Sequence, residues 1–311
     1  MTSLWIDTDM GFDDLAAVLA VAGTPGWSVA GLSLVAGNAP LPVVIDNALR
    51  SAAYFGWRFP IHSGAAGPLV GELATAQSVL GDDAMCSAGR SLPRERSTLT
   101  SEDAVSALAD WLRAAAAPAT VLALGPLTNI ALLLRRYPEL APRIGELMWM
   151  GGSAGPGNHT AAAEFNAFVD PESINEVLAA GLPLAMVGLD TCRQVRVDKA
   201  DADALRAIGT ERGLLLGDLL EGYVRIAGAD ARSSMALYDP TAAAALLAPE
   251  SVRFTPAHVV AECRGEHTRG MTVVEWRVPR KAAANARVAT VADANAVRSA
   301  VLGALSVTAR S

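Results

Sequence analysis

The sequence predicts an α/β protein with an open, mostly parallel, Rossmann-like central sheet flanked by helices on both faces. Short apolar runs alternate with alanine-rich amphipathic stretches from the N-terminus onward, the order expected of strand–helix–strand units. The apolar runs are almost unbroken, as in parallel strands buried on both faces. A mostly helical insertion is predicted over about residues 197–248, in the C-terminal third. Because the chain has no repeat, low-complexity tract or clear linker, residues 1–311 are expected to form a single domain.

The individual elements follow this alternation in chain order. The apolar runs predicted as strands are residues 3–6, 29–38, 59–64, 119–125, 146–152 and 182–190. The stretches predicted as helices between them are residues 15–22, 46–56, 103–116, 127–140 and 170–181. Thr100 or Ser101 is placed to cap the helix over 103–116. Residues 255–262 and 270–277 are predicted to form a late hairpin, and residues 292–305 a closing helix.

Composition limits the classes of protein to which this chain can belong. A net charge of −7 argues against nucleic acid as a partner, because phosphate binding requires clustered Lys and Arg. No apolar run reaches the roughly 18–20 residues that span a bilayer, so no membrane partner is expected. Cys86, Cys192 and Cys263 form no CxxC pair and fit buried thiols in a reducing compartment. With no signal-like N-terminal segment, the sequence predicts a cytoplasmic protein.

Four aspartates are crowded where the first predicted strand ends, in the stretch "WIDTDMGFDD". Carboxylates packed this tightly repel one another unless a cation lies between them. A hard divalent cation such as Ca²⁺ prefers carboxylate and carbonyl oxygens, and the absence of nearby His or Cys argues against zinc. A simpler interpretation is that Asp13 or Asp14 merely caps the following helix, but this accounts for one aspartate and not for four. The motif therefore predicts a metal site.

The stretch "DTDMGFDD" also resembles the DxDxGxDD signature of the calcium-dependent, inosine/uridine-preferring nucleoside hydrolases. Further blocks similar to that family follow in the family's order across nearly the whole chain. They are "VAGN" ending at Asn38, "NAL" beginning at Asn47, "LGPLTNIA" over 124–131, "MGG" over 150–152, "GNHTAAAEFNAFVDPE" over 157–172, "DP" at 239–240 and "TRGMTVV" over 268–274. A lone DxD would be weak evidence, whereas this ordered series is specific.

The resemblance implies a calcium cofactor and a catalytic centre. The implied metal site contains Asp7, Asp9, Asp13, Asp14, Asp239 and the backbone carbonyl of Leu124. Asp7 would be a neighbour of the metal, and Asp9 would act as the general base on a metal-bound water. Asn38 and Asn166 complete the implied catalytic group.

The resemblance further implies a ribonucleoside as the small-molecule substrate, cleaved at its N-glycosidic bond. The implied substrate-binding residues are Asp13, Asn38, Met150, Asn158, Glu164, Asn166, Tyr223 and Tyr238. Calcium and Asp13 would hold the 2′- and 3′-hydroxyls, and Asn158 with Glu164 the 5′-hydroxyl. Carboxylate and amide oxygens around the ring would stabilise an oxocarbenium-like transition state. By the same resemblance, a homodimer or homotetramer is expected.

The sequence departs from the family pattern where the departing base would be activated. Tyr238 precedes Asp239 and Leu80 precedes a glycine, at two positions where well-known members have histidine. The "TCRQ" block with Cys192 and Arg193 also differs, as does Thr160-Ala161 in place of "TP". Three interpretations stay open: a substrate whose base leaves readily, stabilisation of the base by Arg193 or Tyr223, or a weak hydrolase that keeps its ribose site.

Of the four histidines, His62 and His258 lie in strand-like segments and are interpreted as structural. His159 lies inside the ribose-binding block, and His267 in a polar turn.

Two rival functions are distinguishable. A haloacid-dehalogenase-type phosphatase also places a DxD after its first strand, but it needs a lysine at a later strand end, and the two lysines here both follow residue 198. A nucleoside- or ribose-binding protein with weak or lost hydrolase activity would retain the residues Asp13, Asp14, Asp239, Glu164 and Asn166. It would have less use for Asp9, whose presence favours catalysis.

Overall fold

The computed structural model describes residues 2–228 and 233–311, which form a nine-stranded mixed sheet with helices on both faces. The strands of this sheet are β1 (Thr2–Thr8), β2 (Trp27–Leu34), β3 (Ile61–Ser63), β4 (Ala119–Ala123), β5 (Ile144–Met150), β6 (Leu184–Val187), β9 (Val252–Ala261), β10 (Thr272–Glu275) and β11 (Ala286–Ala292). A separate antiparallel pair consists of β7 (Arg196–Asp198) and β8 (Ser234–Ala236).

The helices alternate with the strands as the sequence predicts. They are α1 (Phe12–Gly23), α2 (Leu41–Phe55), α3 (Gln77–Leu80), α4 (Ala104–Ala114), α5 (Thr128–Arg136), α6 (Phe165–Val169), α7 (Pro171–Ala179), α8 (Leu189–Cys192), α9 (Lys199–Arg206), α10 (Glu211–Ile226), α11 (Asp239–Leu247) and α12 (Ala294–Arg310). Short 3₁₀ helices cover Pro138–Arg143 and Pro249–Ser251. In the described ranges, each helix is too short or too polar to serve as a transmembrane segment.

The strand order is β10-β9-β11-β6-β5-β4-β1-β2-β3. Every pairing from β11 to β3 is parallel, whereas β9 runs antiparallel to both β11 and β10. The predicted open, mostly parallel sheet is thus confirmed, and so is the late hairpin. The carboxyl ends of β1, β2, β4 and β5 lie at one edge of the sheet, where ligands bind in folds of this kind.

Alternation along β1 sends successive side chains to opposite faces of the sheet. Leu4 and Ile6 pack in one apolar core, with α1, α10, α11 and α12. Trp5 packs in the other, with α4, α5 and α7. A central strand buried on both faces holds the loop that follows it firmly in place, and that loop carries the acidic motif.

The structure corrects several local predictions. α1 begins at Phe12, three residues before the predicted start at 15, because Gly11 serves as its N-cap and Asp14 accepts from the Gly11 amide. The N-cap of α4 is Asp103, which accepts from the Ser106 amide, so the assignment of Thr100 or Ser101 was wrong.

Three longer elements also differ from prediction. The predicted helix over 127–140 breaks at Tyr137, where Pro138 begins a 3₁₀ turn. The predicted strand over 182–190 ends at Val187, before the short helix α8. The helical segment over 197–248 contains α9, α10 and α11, with β8 between the last two; residues 229–232 lie outside the described ranges.

Candidate active site

A cavity of about 300 Å³ opens at the carboxyl ends of the parallel strands. It gathers predicted site residues that are far apart in the sequence. Those lining it are Asp9, Asp13, Asn38, Leu124, Met150, Asn158, Glu164, Asn166, Tyr223, Tyr238 and Asp239. Asp7 and Asp14 are fully buried beside it. The separate sequence blocks therefore converge on one site.

The floor of the cavity is an acidic cluster. Asp13, Asp14 and Asp239 each present a carboxylate oxygen within 4.8 Å of the other two, an arrangement that can hold a metal ion. Asp14 accepts from the Gly11 amide at 2.8 Å, from the Thr8 hydroxyl at 2.5 Å and from the Asn38 side-chain amide at 3.3 Å. Asp14 therefore stabilises the start of α1 and also contributes to the acidic cluster. The helix-cap and metal-site interpretations of the motif are thus compatible.

Asp9 is buried against the same cluster and is held from the side of β2. Its Oδ2 accepts from the Asn38 backbone amide at 2.7 Å. A Cβ placed on Gly37 would lie 2.1 Å from this oxygen, so the backbone can approach Asp9 only because residue 37 has no side chain.

Burial and mutual repulsion disfavour the charged forms of these carboxyl groups. Burial, with the charge of Asp14 as a further cause, raises the pKa of Asp7 and of Asp13 to about 7. Burial also raises the pKa of Asp9 and of Asp239 well above the usual range, and neighbouring carboxylates add to both shifts. Among the described residues, no Lys or Arg forms an ion pair with any of these aspartates. A bound cation would remove this electrostatic cost, so the donor set fits a hard metal ion.

Asp7 lies behind the cluster and supports its neighbours. Its Oδ1 accepts from the Asn129 amide at 2.7 Å and from the Ser33 hydroxyl, whereas its buried Oδ2 has no hydrogen-bond partner. The Asp7 backbone carbonyl accepts from the Leu124 amide at 2.8 Å. Asp7 thus connects β1 to the Leu124 segment whose carbonyl was predicted as a metal ligand.

The side of the cavity next to β5 is built from amide and carboxylate groups. Glu164 caps α6, accepting from the Asn166 and Ala167 amides, and it also accepts from the Gly152 amide at 2.8 Å. Burial nevertheless raises the pKa of Glu164 to about 7. Asn166 donates to the carbonyls of Leu124, at 2.7 Å, and of Met150, at 3.1 Å. These bonds fix the polar groups at the positions predicted to face a sugar.

The remaining predicted residue on this side is Asn158, which is exposed at the cavity rim. Its Oδ1 accepts from the Phe165 amide at 3.0 Å, which orients the side chain.

The lining also includes apolar side chains, which form the apolar wall of the cavity. Besides Tyr238 and Leu80, it contains Val79, Ile226 and Met235. The Tyr223 hydroxyl donates to the Ala236 carbonyl at 2.7 Å and lies 3.3 Å from Asp13 Oδ2, so it is engaged with the protein. Burial raises the pKa of Tyr238 to about 12.

Arg193 does not line the cavity, although the sequence suggested it for the base. Its guanidinium donates to the carbonyls of Pro156 at 2.9 Å and Gly157 at 2.8 Å. It therefore secures the loop that leads to Asn158.

Sequence reasoning missed part of the lining. The cavity residues that it did not assign to the site are Thr75, Ala76, Ser78, Val79, Phe165, Ile226 and Met235. Four of these lie in or beside the single-turn helix α3, where the sequence has no periodic signal. His159, considered at the sequence level, does line the cavity, and its ring centroid lies 4.3 Å from that of Phe168. His62 is buried against Trp5 and Ser101, as a structural histidine should be.

The fold and the carboxylate-floored cavity define an α/β enzyme of the nucleoside hydrolase class. The family model for inosine-uridine preferring nucleoside hydrolases matches residues 4–299, and the chain belongs to that family. It is 38% identical over 274 residues to the pyrimidine-specific ribonucleoside hydrolase RihA of Shewanella woodyi, covering 87% of each chain.

Two solved structures share the fold. A purine-preferring ribonucleoside hydrolase from Gardnerella vaginalis has a TM-score of 0.91 at 24% identity, with 99% of each chain covered. An inosine-guanosine nucleoside hydrolase has a TM-score of 0.89 at 27% identity, with 98% of this chain and 99% of that chain covered.

Proposed function

We propose that this chain hydrolyses the N-glycosidic bond of ribonucleosides with Ca²⁺ as its cofactor, releasing the free base and ribose. The observation that carries the proposal is that one cavity combines carboxylates of the acidic cluster with apolar and aromatic side chains. A sugar has hydroxyls that carboxylates can bind, and a base has a flat face that apolar and aromatic side chains can pack on. The arrangement therefore suits the two halves of a nucleoside.

The proposed cation would be held by carboxylates of Asp9, Asp13, Asp14 and Asp239 and by the Leu124 carbonyl, with Asp7 as a buried neighbour. Such a donor set consists of oxygens alone, which is what Ca²⁺ prefers. When bound, the cation would lower the pKa of a coordinated water and orient the vicinal hydroxyls of the sugar.

The residues of this chain would contribute the following chemistry. Asp9, held by the Asn38 amide, accepts a proton from the attacking water as its oxygen bonds to the anomeric carbon. The carbon–nitrogen bond breaks, and its electron pair leaves with the base, which then takes up a proton. Glu164, Asn166 and Asp13 place oxygen atoms around the sugar, where they stabilise positive charge developing on the ring.

On the base side, we infer a preference for pyrimidine ribonucleosides. The inference is supported by the 38% identity to a relative named as pyrimidine-specific, against 27% to the inosine-guanosine enzyme. Tyr238 and Leu80 would pack on the base.

The test is ribose release from a panel containing uridine, cytidine, inosine and guanosine, with Ca²⁺ and with a chelator. We expect uridine or cytidine to be the best substrate and the chelator to abolish turnover. Asp9→Asn should lower kcat by about 10²–10⁴, the contribution of a general base, while nucleoside binding persists. Chelator-resistant turnover, or a fully active Asp9→Asn variant, would contradict the proposed mechanism.

A nucleoside-binding protein of the same fold is the second candidate. It is favoured by one observation: Tyr238 and Leu80 stand where an acid for the departing base is expected, and neither is an effective acid at neutral pH. Calorimetry that detects nucleoside binding without ribose release from any member of the panel would establish this candidate in place of the hydrolase.

A further inference from the structure

Asn47 lies in one of the sequence blocks that carry the family resemblance, yet it does not line the cavity. It projects from α2 and is only 2% exposed. Its Nδ2 donates two hydrogen bonds to backbone carbonyls, to Met10 at 3.1 Å and to Asp83 at 2.7 Å. One buried amide therefore connects two segments separated by more than seventy residues in the sequence.

Both of these carbonyls adjoin an unusual backbone conformation. Met10, with φ of 41°, and Ala84, with φ of 51°, are the non-glycine residues with positive φ in the described ranges. L-amino acids rarely adopt this left-handed region, because the Cβ crowds the following carbonyl. Asn47 bonds to the carbonyl of Met10 itself and to the carbonyl of the Asp83–Ala84 peptide, so its amide group fixes a peptide plane at each strained position.

The two strained positions flank the active-site cavity. Met10 joins Asp9 to Gly11, whose amide donates to Asp14 at 2.8 Å. Ala84 belongs to the turn that begins after Leu80, a residue of the apolar wall, and its amide donates to the Gly81 carbonyl at 3.0 Å. A shift of either peptide would move the acidic floor or the apolar wall.

We propose that Asn47 is a positioning residue for the hydrolysis, which holds the Asp9–Asp14 segment and the Leu80 wall in fixed relation to each other. It acts through the Met10 and Asp83 carbonyls and contacts neither metal nor substrate. This role rests on the proposed function, because it presupposes that the cavity is the catalytic site. Strained backbone persists where its surroundings over-determine it, and the Asn47 amide supplies that constraint at both positions.

The chain offers a matched control for a purely structural asparagine. Asn175 makes a comparable pair of bonds to Ala261, donating to its carbonyl at 2.8 Å and accepting from its amide at 2.9 Å. It lies on α7 and does not line the cavity. Asn175→Ala removes these two backbone hydrogen bonds, and a contact with the Cys263 sulfur at 3.2 Å, without touching the proposed machinery.

The experiment compares full-length wild type, Asn47→Ala and Asn175→Ala by hydrogen-exchange mass spectrometry, calcium titration and steady-state kinetics. In Asn47→Ala, we expect peptides covering residues 8–15 and 80–88 to lose protection together. Calcium affinity should fall about tenfold, and kcat should fall about tenfold with a smaller change in KM. The reason is that losing two hydrogen bonds to buried carbonyls costs a free energy that corresponds to about a tenfold change in an equilibrium or rate constant. Asn175→Ala should retain wild-type protection in both segments and wild-type kcat.

If Asn47→Ala does not fold, Asn47→Ser retains one hydroxyl donor and should expose one of the two segments while the other stays protected. Unchanged exchange in both segments of the folded variant, or equal loss in Asn175→Ala, would overturn the positioning role. If wild type releases no ribose from any nucleoside, the proposed function fails by itself, and the exchange and calcium measurements still decide the role of Asn47.

Discussion

At the scale of single residues, Gly37 shows how a missing side chain can hold the proposed general base, Asp9, in place. The Asn38 amide reaches Asp9 Oδ2 only because the preceding residue has no Cβ, which would lie 2.1 Å from that oxygen. Gly37→Ala should therefore displace the Asp9 carboxylate and lower kcat by about 10-fold or more, the cost of misplacing a general base. Gly303→Ala is the control, because a Cβ there meets open space on α12 and activity should be unaffected. Wild-type kcat in Gly37→Ala would show that Asp9 tolerates the shift.

Tyr238 gives a second residue-scale prediction, about the departing base. A phenol has an ordinary pKa of about 10 and transfers a proton poorly at neutral pH. If Tyr238 only packs on the base, Tyr238→Phe should change kcat less than about threefold, whereas Tyr238→His should increase turnover by adding a group that titrates near pH 6.5. The measurement is kcat for each variant across a purine and pyrimidine panel between pH 5 and 8. Flat turnover in Tyr238→His would mean that leaving-group activation is not what limits this enzyme.

At the scale of secondary-structure elements, Asp170 joins three parts of the chain. Its Oδ2 accepts from the Thr128 hydroxyl at 2.6 Å and the Leu69 amide at 3.0 Å, and its Oδ1 accepts from the Ser173 amide at the start of α7. The sequence pair Asp170-Pro171 correctly predicted a helix start, because the short-range cap is encoded locally. The bonds to Thr128 and Leu69 carry no local signal.

Asp170→Ala should consequently destabilise the fold more than the loss of an ordinary helix cap does. We expect a loss of about 3–5 kcal/mol in the free energy of unfolding, the sum of one cap, one buried donor and one half-buried donor left without partners. Asp293→Ala removes the exposed cap of α12 and should cost only about 1 kcal/mol. Chemical denaturation of both variants measures the difference, and equal losses would show that the long-range bonds add nothing.

Elements with strong periodicity were predictable, and those fixed by tertiary contacts were not. The central strand β1 and the amphipathic helix α4 are evident from their apolar patterns alone. β11 was not predicted, because its position between β9 and β6 depends on pairing with strands far away in the sequence. The short helix α6 was also missed; its cap is Glu164, not one of the usual capping residues, and the same side chain also accepts from the amide of the distant Gly152.

At the scale of the whole molecule, the site is assembled by topology. β1 lies between β2 and β4, so the loops after these three strands meet at one edge, and Asp239 reaches the same point from α11. The family resemblance predicted the members of this assembly, but not the contacts that orient them, such as the Tyr223–Asp13 pair. Those contacts depend on where α10 packs, which no local pattern encodes.

The same assembly predicts how calcium affects the stability of the entire fold. Folding buries several carboxylates beside one another without a described Lys or Arg partner, and an unfolded chain would separate them. A cation that binds only the folded state stabilises it by about 2.7 kcal/mol at a concentration 100 times its Kd. Denaturant titration of wild type with excess Ca²⁺ and with a chelator should show this difference as a shift in midpoint. Asp14→Asn should lose most of the shift, because it removes a charge at the centre of the cluster. Asp293→Ala should show the full calcium-dependent shift, although both of its midpoints should be lower than those of wild type. A wild-type midpoint that is identical in calcium and chelator would mean that the cluster holds no cation in the folded protein, and the calcium-dependent mechanism would have to be abandoned.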